Sequence, residues 1–110
     1  MDCTIYCCNY KNVSDAFNAL QKIASGTIRK DKLATWERIS FFLEPGFTIH
    51  AKCTPQEPEG YYDVEFYAEV CGNKLDDAMQ FIGYLRLRTF EEMNKTDAAV
   101  KPMREENREV

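Results

Sequence analysis

Residues 47–70 read FTIHAKCTPQEPEGYYDVEFYAEV, and the fold follows from how this stretch alternates. Phe47, Ile49, Ala51 and Cys53 are separated by Thr48, His50, Lys52 and Thr54. Tyr62, Val64, Phe66, Ala68 and Val70 alternate likewise with Tyr61, Asp63, Glu65, Tyr67 and Glu69. Successive side chains on a strand point to opposite faces, so each run is a half-buried strand with one apolar and one wet side. The polar segment Pro55–Gly60 reads as the turn that joins them into an antiparallel hairpin. If the apolar sets share a face, paired residue numbers must sum to an odd number. A register closing around residues 55–60 sets Lys52 against Asp63 and His50 against Glu65, two opposite-charge cross-strand pairs.

Upstream, Pro45-Gly46 suits a type II turn. The run before it reads best as a strand over 35–43, with Ile39, Phe41 and Leu43 on one side and Trp36 and Phe42 on the other. A helix capped by Asp31, with Leu33, Trp36, Ile39 and Leu43 along one face, is the alternative that periodicity leaves open. Arg29-Lys30-Asp31-Lys32 is expected to be a solvated loop. At the start of the chain, CTIYCCNY (residues 3–10) predicts a first strand. Asn12 follows as a helix N-cap with Asp15 three residues on, then an apolar stripe of Val13, Ala16, Phe17, Leu20, Ile23 and Ala24. Gly26 is expected to close that helix in a left-handed conformation.

Downstream, Asn73 and Asp76 repeat the cap, and Leu75, Ala78, Met79, Ile82 and Leu85 mark a second helix running to about Met93 across Gly83. Arg86 and Arg88 stand two residues apart on it and diverge by about 200°, so they form no clamp. The predicted fold is therefore α+β: one domain over 1–94, in the order β-α-β-β-β-α, an antiparallel sheet with two helices packed on one face. Residues 95–110 are expected to be a charged, flexible tail. The α-β-β-β-α portion resembles double-stranded-RNA-binding domains in element order, but their basic helix-start cluster has no counterpart in Asn73-Lys74-Leu75-Asp76-Asp77, so no family is assigned.

Composition narrows the function. The chain has 110 residues, 45% hydrophobic and 29% charged, with a formal net charge of −4. That is the make-up of one globular domain, and its acidity argues against direct nucleic-acid binding. No apolar run approaches the roughly 20 residues of a membrane span and no leader is recognised, so the expected compartment is the cytoplasm. Five cysteines, an odd number, point to reduced thiols. Cys3 and Cys7 would share one strand face and Cys8 the other, so they cannot converge on a metal, and Cys53 lies on an apolar face; no metal or cofactor is expected. His50 is the only histidine. Beside Glu65, with Ser40 or Tyr67 near, it could in principle act as a base, but Cys53 points the other way and no catalytic motif is present. A surface ion pair is the expected role, and an enzyme is not.

Charge is distributed unevenly. Residues 53–82 hold seven acids (Glu57, Glu59, Asp63, Glu65, Glu69, Asp76, Asp77) against Lys74 alone. The expected function is accordingly a small protein-binding module, an inhibitor or adaptor with the general look of phage anti-defence proteins. It would engage a basic protein partner through Tyr61, Asp63, Glu65, Tyr67, Glu69 and His50, its carboxylates able to stand in for phosphates. Such binding weakens with salt and with charge reversal at Glu65 and Glu69. The alternatives are a small-ligand-binding, sequestering protein, with Trp36, Phe41, Phe42 and Tyr6 around an apolar pocket or a homo-oligomer's site between subunits, and a subunit of a larger assembly.

Overall fold

The computed structural model describes residues 4–98. The order is β1 (Thr4–Asn9), α1 (Tyr10–Ile23), β2 (Thr27–Lys32), β3 (Glu37–Glu44), β4 (Phe47–Gln56), β5 (Tyr61–Val70) and α2 (Leu75–Ala98). The five strands form one antiparallel sheet in the order β1-β5-β4-β3-β2, with both helices on one face. The strands β2 to β5 are a meander, whereas β1 lies at the far edge beside β5. Helix α1 must therefore carry the chain across the whole sheet. Its 14 residues span about 21 Å, and the four inter-strand gaps about 19 Å, so helix length and sheet width match.

Strand β2 is the element beyond the predicted order. TIRKDK holds one apolar residue among charges, and this makes it a poor strand by pattern but a well-protected sheet edge. The expected loop at Arg29–Lys32 is thus a strand, and the alternative helix over 31–43 is replaced by the β2–β3 hairpin, closed where the Leu33 N–H donates to the Trp36 carbonyl (2.9 Å).

The N-cap position of helix α1 lies three residues before the expected one. Asn9 is its N-cap position, without a side-chain cap bond, and Asn12 is buried in the first turns. Asp15 pairs with Lys11 one turn back (2.8 Å) instead of meeting free amides. Val13, Ala16, Phe17 and Leu20 are buried as the spacing predicts, but the helix ends at Ile23, which is 65% exposed. Gly26 has no left-handed φ; it is required by space, since a Cβ there would stand 2.6 Å from Phe41 Cζ and 2.8 Å from the Phe42 carbonyl oxygen. On α2 the first helical carbonyl belongs to Lys74, which accepts from the Ala78 N–H (3.0 Å), so Asn73 lies outside the cap. Ala78, Ile82 and Leu85 face the core and Leu75 does not. The helix continues through Ala98, past the point where the tail was expected to begin; the rest of that tail lies outside the described residues.

Two bulges keep the apolar face in one plane. The two-residue turn at Pro45-Gly46, with Gly46 at φ 78°, pairs Glu44 with Phe47. Carried on unchanged, that register would oppose Phe41 with His50. An irregularity at Leu43 shifts the pairing by one, so that Phe41 opposes Ile49 and Ile39 opposes Ala51, all buried. In β1 the shift falls between Ile5 and Cys8, which both turn inward. Cys7 is exposed there at φ 56°, and its N–H donates to Asp63 Oδ1 (3.2 Å).

Candidate functional site on the open face of the sheet

Helices cover one face of the sheet and leave the other to Arg29 and Asp31 of β2, Arg38, Ser40 and Phe42 of β3, Thr48, His50 and Lys52 of β4, and the odd-numbered residues of β5. The expected binding residues Tyr61, Asp63, Glu65, Tyr67, Glu69 and His50 all lie here, brought side by side by the β4–β5 ladder. Their pairing differs from the expected register by two residues. The odd sum holds, but the turn spans only residues 57–60, with Pro55 and Gln56 paired to Tyr62 and Tyr61. Lys52 thus opposes Glu65, not Asp63, and His50 opposes Tyr67, not Glu65. Pro55 is tolerated because β4 has run past the end of β3, where one flank has no ladder to lose.

At the centre of the face stands a chain of three polar side chains from three strands. Ser40 and His50 are a direct cross-strand pair, with Ser40 Oγ 2.8 Å from His50 Nδ1. His50 Nε2 lies 2.6 Å from Glu69 Oε1, and the ring stacks on Tyr67 with centroids 4.8 Å apart. A carboxylate only accepts, so the short approach favours the proton on Nε2, although that N–H is not aimed along it and makes no aligned hydrogen bond; in that neutral tautomer Nδ1 accepts from the Ser40 hydroxyl. Ser40 and His50 are both buried although they sit on the open face, whereas Glu69 is largely exposed. Burial pushes the imidazole below its ordinary pKa; Glu69 pulls it up, and Arg38 and Arg29 push it down again. The imidazole is neutral near pH 7 as a result.

Ser, His and Glu in close succession invite comparison with a hydrolytic triad, but the geometry differs. The serine is on Nδ1 and its side chain has no exposed surface. A buried hydroxyl that cannot meet a substrate is a structural partner. What these contacts do is pair Ser40 with His50 in the middle of a sheet face and set the imidazole against the Tyr67 ring and beside Glu69.

Around this centre the face divides by charge. On the β5 side stand Asp63, Glu65 and Glu69, continued by Glu57 and Glu59 in the turn and by Tyr61 at the strand start. Toward β2 the side chains are cations laid on aromatic rings. Arg29 lies 5.4 Å from the Phe42 centroid, and Arg38 and Lys52 lie 5.9 and 5.1 Å from that of Trp36. Asp31 bridges Arg29 (3.1 Å) and Arg38 (3.3 Å). Burial opposes its ionisation, yet the two guanidiniums prevail and hold its carboxyl below the usual range. Asp76 and Asp77, counted with the acidic segment in sequence, start α2 at the opposite end of β5 from the turn, where Lys74 pairs with Glu44. The acidic stretch of sequence is thus divided in space.

The remaining candidates separate. Phe41 is in the core, whereas Phe42 is on the outer face beside Arg29, so these neighbours cannot line one pocket with Trp36; the side chain of Tyr6 lies outside what the structure describes. Cys8 and Cys53 are buried, and burial raises both thiols to about 12, so they are inert apolar fillers. Among the described residues, no three His, Cys, Asp or Glu side chains are grouped to hold a metal. No described helix is long and apolar enough to cross a membrane.

Ser40 and Tyr67, both named as neighbours of His50, do meet it, but alternation alone did not place Ser40 directly opposite. Its signal lay in a conflict: a two-residue turn at Pro45-Gly46 demands one parity for β3 and β4, and their apolar residues demand the other. A bulge resolves that conflict and puts Ser40 opposite His50. Comparison with known proteins finds no matching family model, no similar curated protein and no similar solved structure.

Proposed function

We propose that this chain is a protein-binding module, an inhibitor or adaptor, that docks a partner's basic surface along the β5 side of its open sheet face. One observation carries the reading: five successive outward positions of a single strand hold two tyrosines and three carboxylates, on a face that neither described helix covers. Tyrosine brings large contact area with little rotamer entropy to lose, and aligned carboxylates steer an encounter with cations. His50, paired with Ser40, backs the Tyr67 ring beforehand, which reduces the ordering cost of binding. The cation–aromatic half beside it gives the face a direction, so a partner of matching charge pattern meets it in one orientation.

The test is capture from a lysate of the cells in which the chain is made, at low and at high salt, followed by direct titration of the captured protein. Glu59→Lys with Glu65→Lys is expected to weaken binding at least about tenfold at low salt, with the affinity of the unaltered chain falling as salt rises. Binding indifferent to both salt and charge reversal would overturn the proposal. Glu69 is left intact because its reversal would also disturb His50.

A further inference from the structure

Helix α2 has an outer face that the other described residues leave largely open, with Met79 on it half-buried against the core. Counting by fours along it gives Leu75, Met79, Gly83 and Leu87, with Phe90 alongside Leu87. Such a row forms a ridge on a helix, and ridges seat in the grooves of another helix. Leu75 is 57% exposed, Leu87 59% and Phe90 39%, three of the six large apolar residues so exposed among those described. In the middle, the ridge is missing: Gly83 is exposed, and a Cβ there would meet nothing within 4 Å.

Among the described residues nothing requires that glycine. Its φ is not left-handed, the helix runs 24 residues through it, and glycine is the poorest helix former short of proline. Alanine would fit the free chain without contact and favour the helix. The contrast with Gly26 is direct, since there a Cβ would strike Phe41. A gap in an apolar ridge, flanked by exposed side chains on both sides, is the shape that lets a second helix cross closely.

We infer that the occupant is α2 of a second copy of this chain, crossing antiparallel at Gly83 about a two-fold axis. This face is complementary to itself. With glycine against glycine, Met79 of one copy comes to Leu87 of the other, and both ridges close over the crossing. Asp76, in the acidic first turn, comes alongside the half of the other helix that carries Arg86, and the helix dipoles oppose. Arg86 now lies over the Phe90 ring (5.4 Å), at the edge of the apolar patch, where it is free to turn to a carboxylate. A pair joined this way places both open sheet faces outward, so the dimer stands independently of what those faces bind.

Analytical ultracentrifugation of the full chain across a concentration series tests this, with Leu87→Glu and Gly83→Ala as variants. The unaltered chain is expected to be dimeric, with Leu87→Glu monomeric at the same concentration and still folded by circular dichroism. Gly83→Ala gives the sharper result, because a role within the chain and a role at the crossing predict opposite signs. It should raise the thermal midpoint measured where the chain is monomeric and weaken the dimer at least about tenfold. An unaltered chain that stays monomeric to about 1 mM, or a dimer that neither substitution weakens, would overturn the inference.

Discussion

The two faces of the sheet follow different rules. On the inner face, Ile39, Phe41, Ile49, Ala51, Cys53, Val64 and Phe66 are all buried against α1 and α2, and each position is specified by volume and apolarity. On the outer face, residues are specified by what stands across the strand: Ser40 by His50, His50 by Tyr67 and Glu69, Arg38 and Lys52 by Trp36. The first kind of position tolerates exchange for anything of similar shape, whereas the second loses its purpose when one partner changes. A face organised by pairing, and left uncovered, is suited to present side chains in fixed geometry.

Substitution should separate the two rules. The largest effect is expected at Phe41, where truncation to Ala removes a fully buried ring and leaves a cavity that also opens beside Gly26: a loss of about 3–5 kcal/mol in urea unfolding. Gly26→Ala should cost about 1–3 kcal/mol through overpacking, because the Phe41 ring and a backbone carbonyl stand in the way. Combining it with Phe41→Leu should recover part of that loss, as a space conflict requires and a backbone requirement does not. On the outer face Ser40→Ala strands a buried imidazole nitrogen, at about 1–3 kcal/mol. Lys52→Ala, which loses a ring contact at the surface, should cost about 0.5 kcal/mol.

Acid provides a probe of the outer face alone, because His50 is the only histidine. Its folded pKa lies below the ordinary 6.5, so between the two values the unfolded chain binds more protons. The His50 contribution to stability is therefore fully present above pH 6.5. It falls as pH drops through that value and levels off once the folded pKa is passed. The His50 ring protons should titrate with a midpoint below 6.5 by NMR, and His50→Gln should remove this component of the stability–pH curve. A midpoint above 6.5 would mean that Glu69 outweighs burial and that the sign is reversed.

Much of the inner face was legible in sequence because burial imposes a period. Alternation located β4 and β5, three- and four-residue spacing located both helices, and Pro45-Gly46 located a turn. Where burial imposes nothing, reading failed. TIRKDK forms an edge strand whose charged residues face solvent or reach over neighbours, as Lys30 does to Ser14 Oγ (2.7 Å), and no period marks it. The outer-face residues were identified as a set, because strand parity places them together, but their pairings were displaced by two. Cross-strand charge matching was too weak a guide to register: Lys52 opposes a carboxylate in both registers, and only turn length distinguishes them.

On the proposed function, the β5 side of the open face serves binding and not stability. The most direct test is to measure, on one pair of variants, both the affinity for the captured partner and the urea midpoint. Glu59→Lys with Glu65→Lys is expected to lower affinity at least about tenfold while folding stability stays within about 1 kcal/mol. Loss of stability with affinity unchanged would contradict the account, and would place these carboxylates among the groups that hold the sheet together.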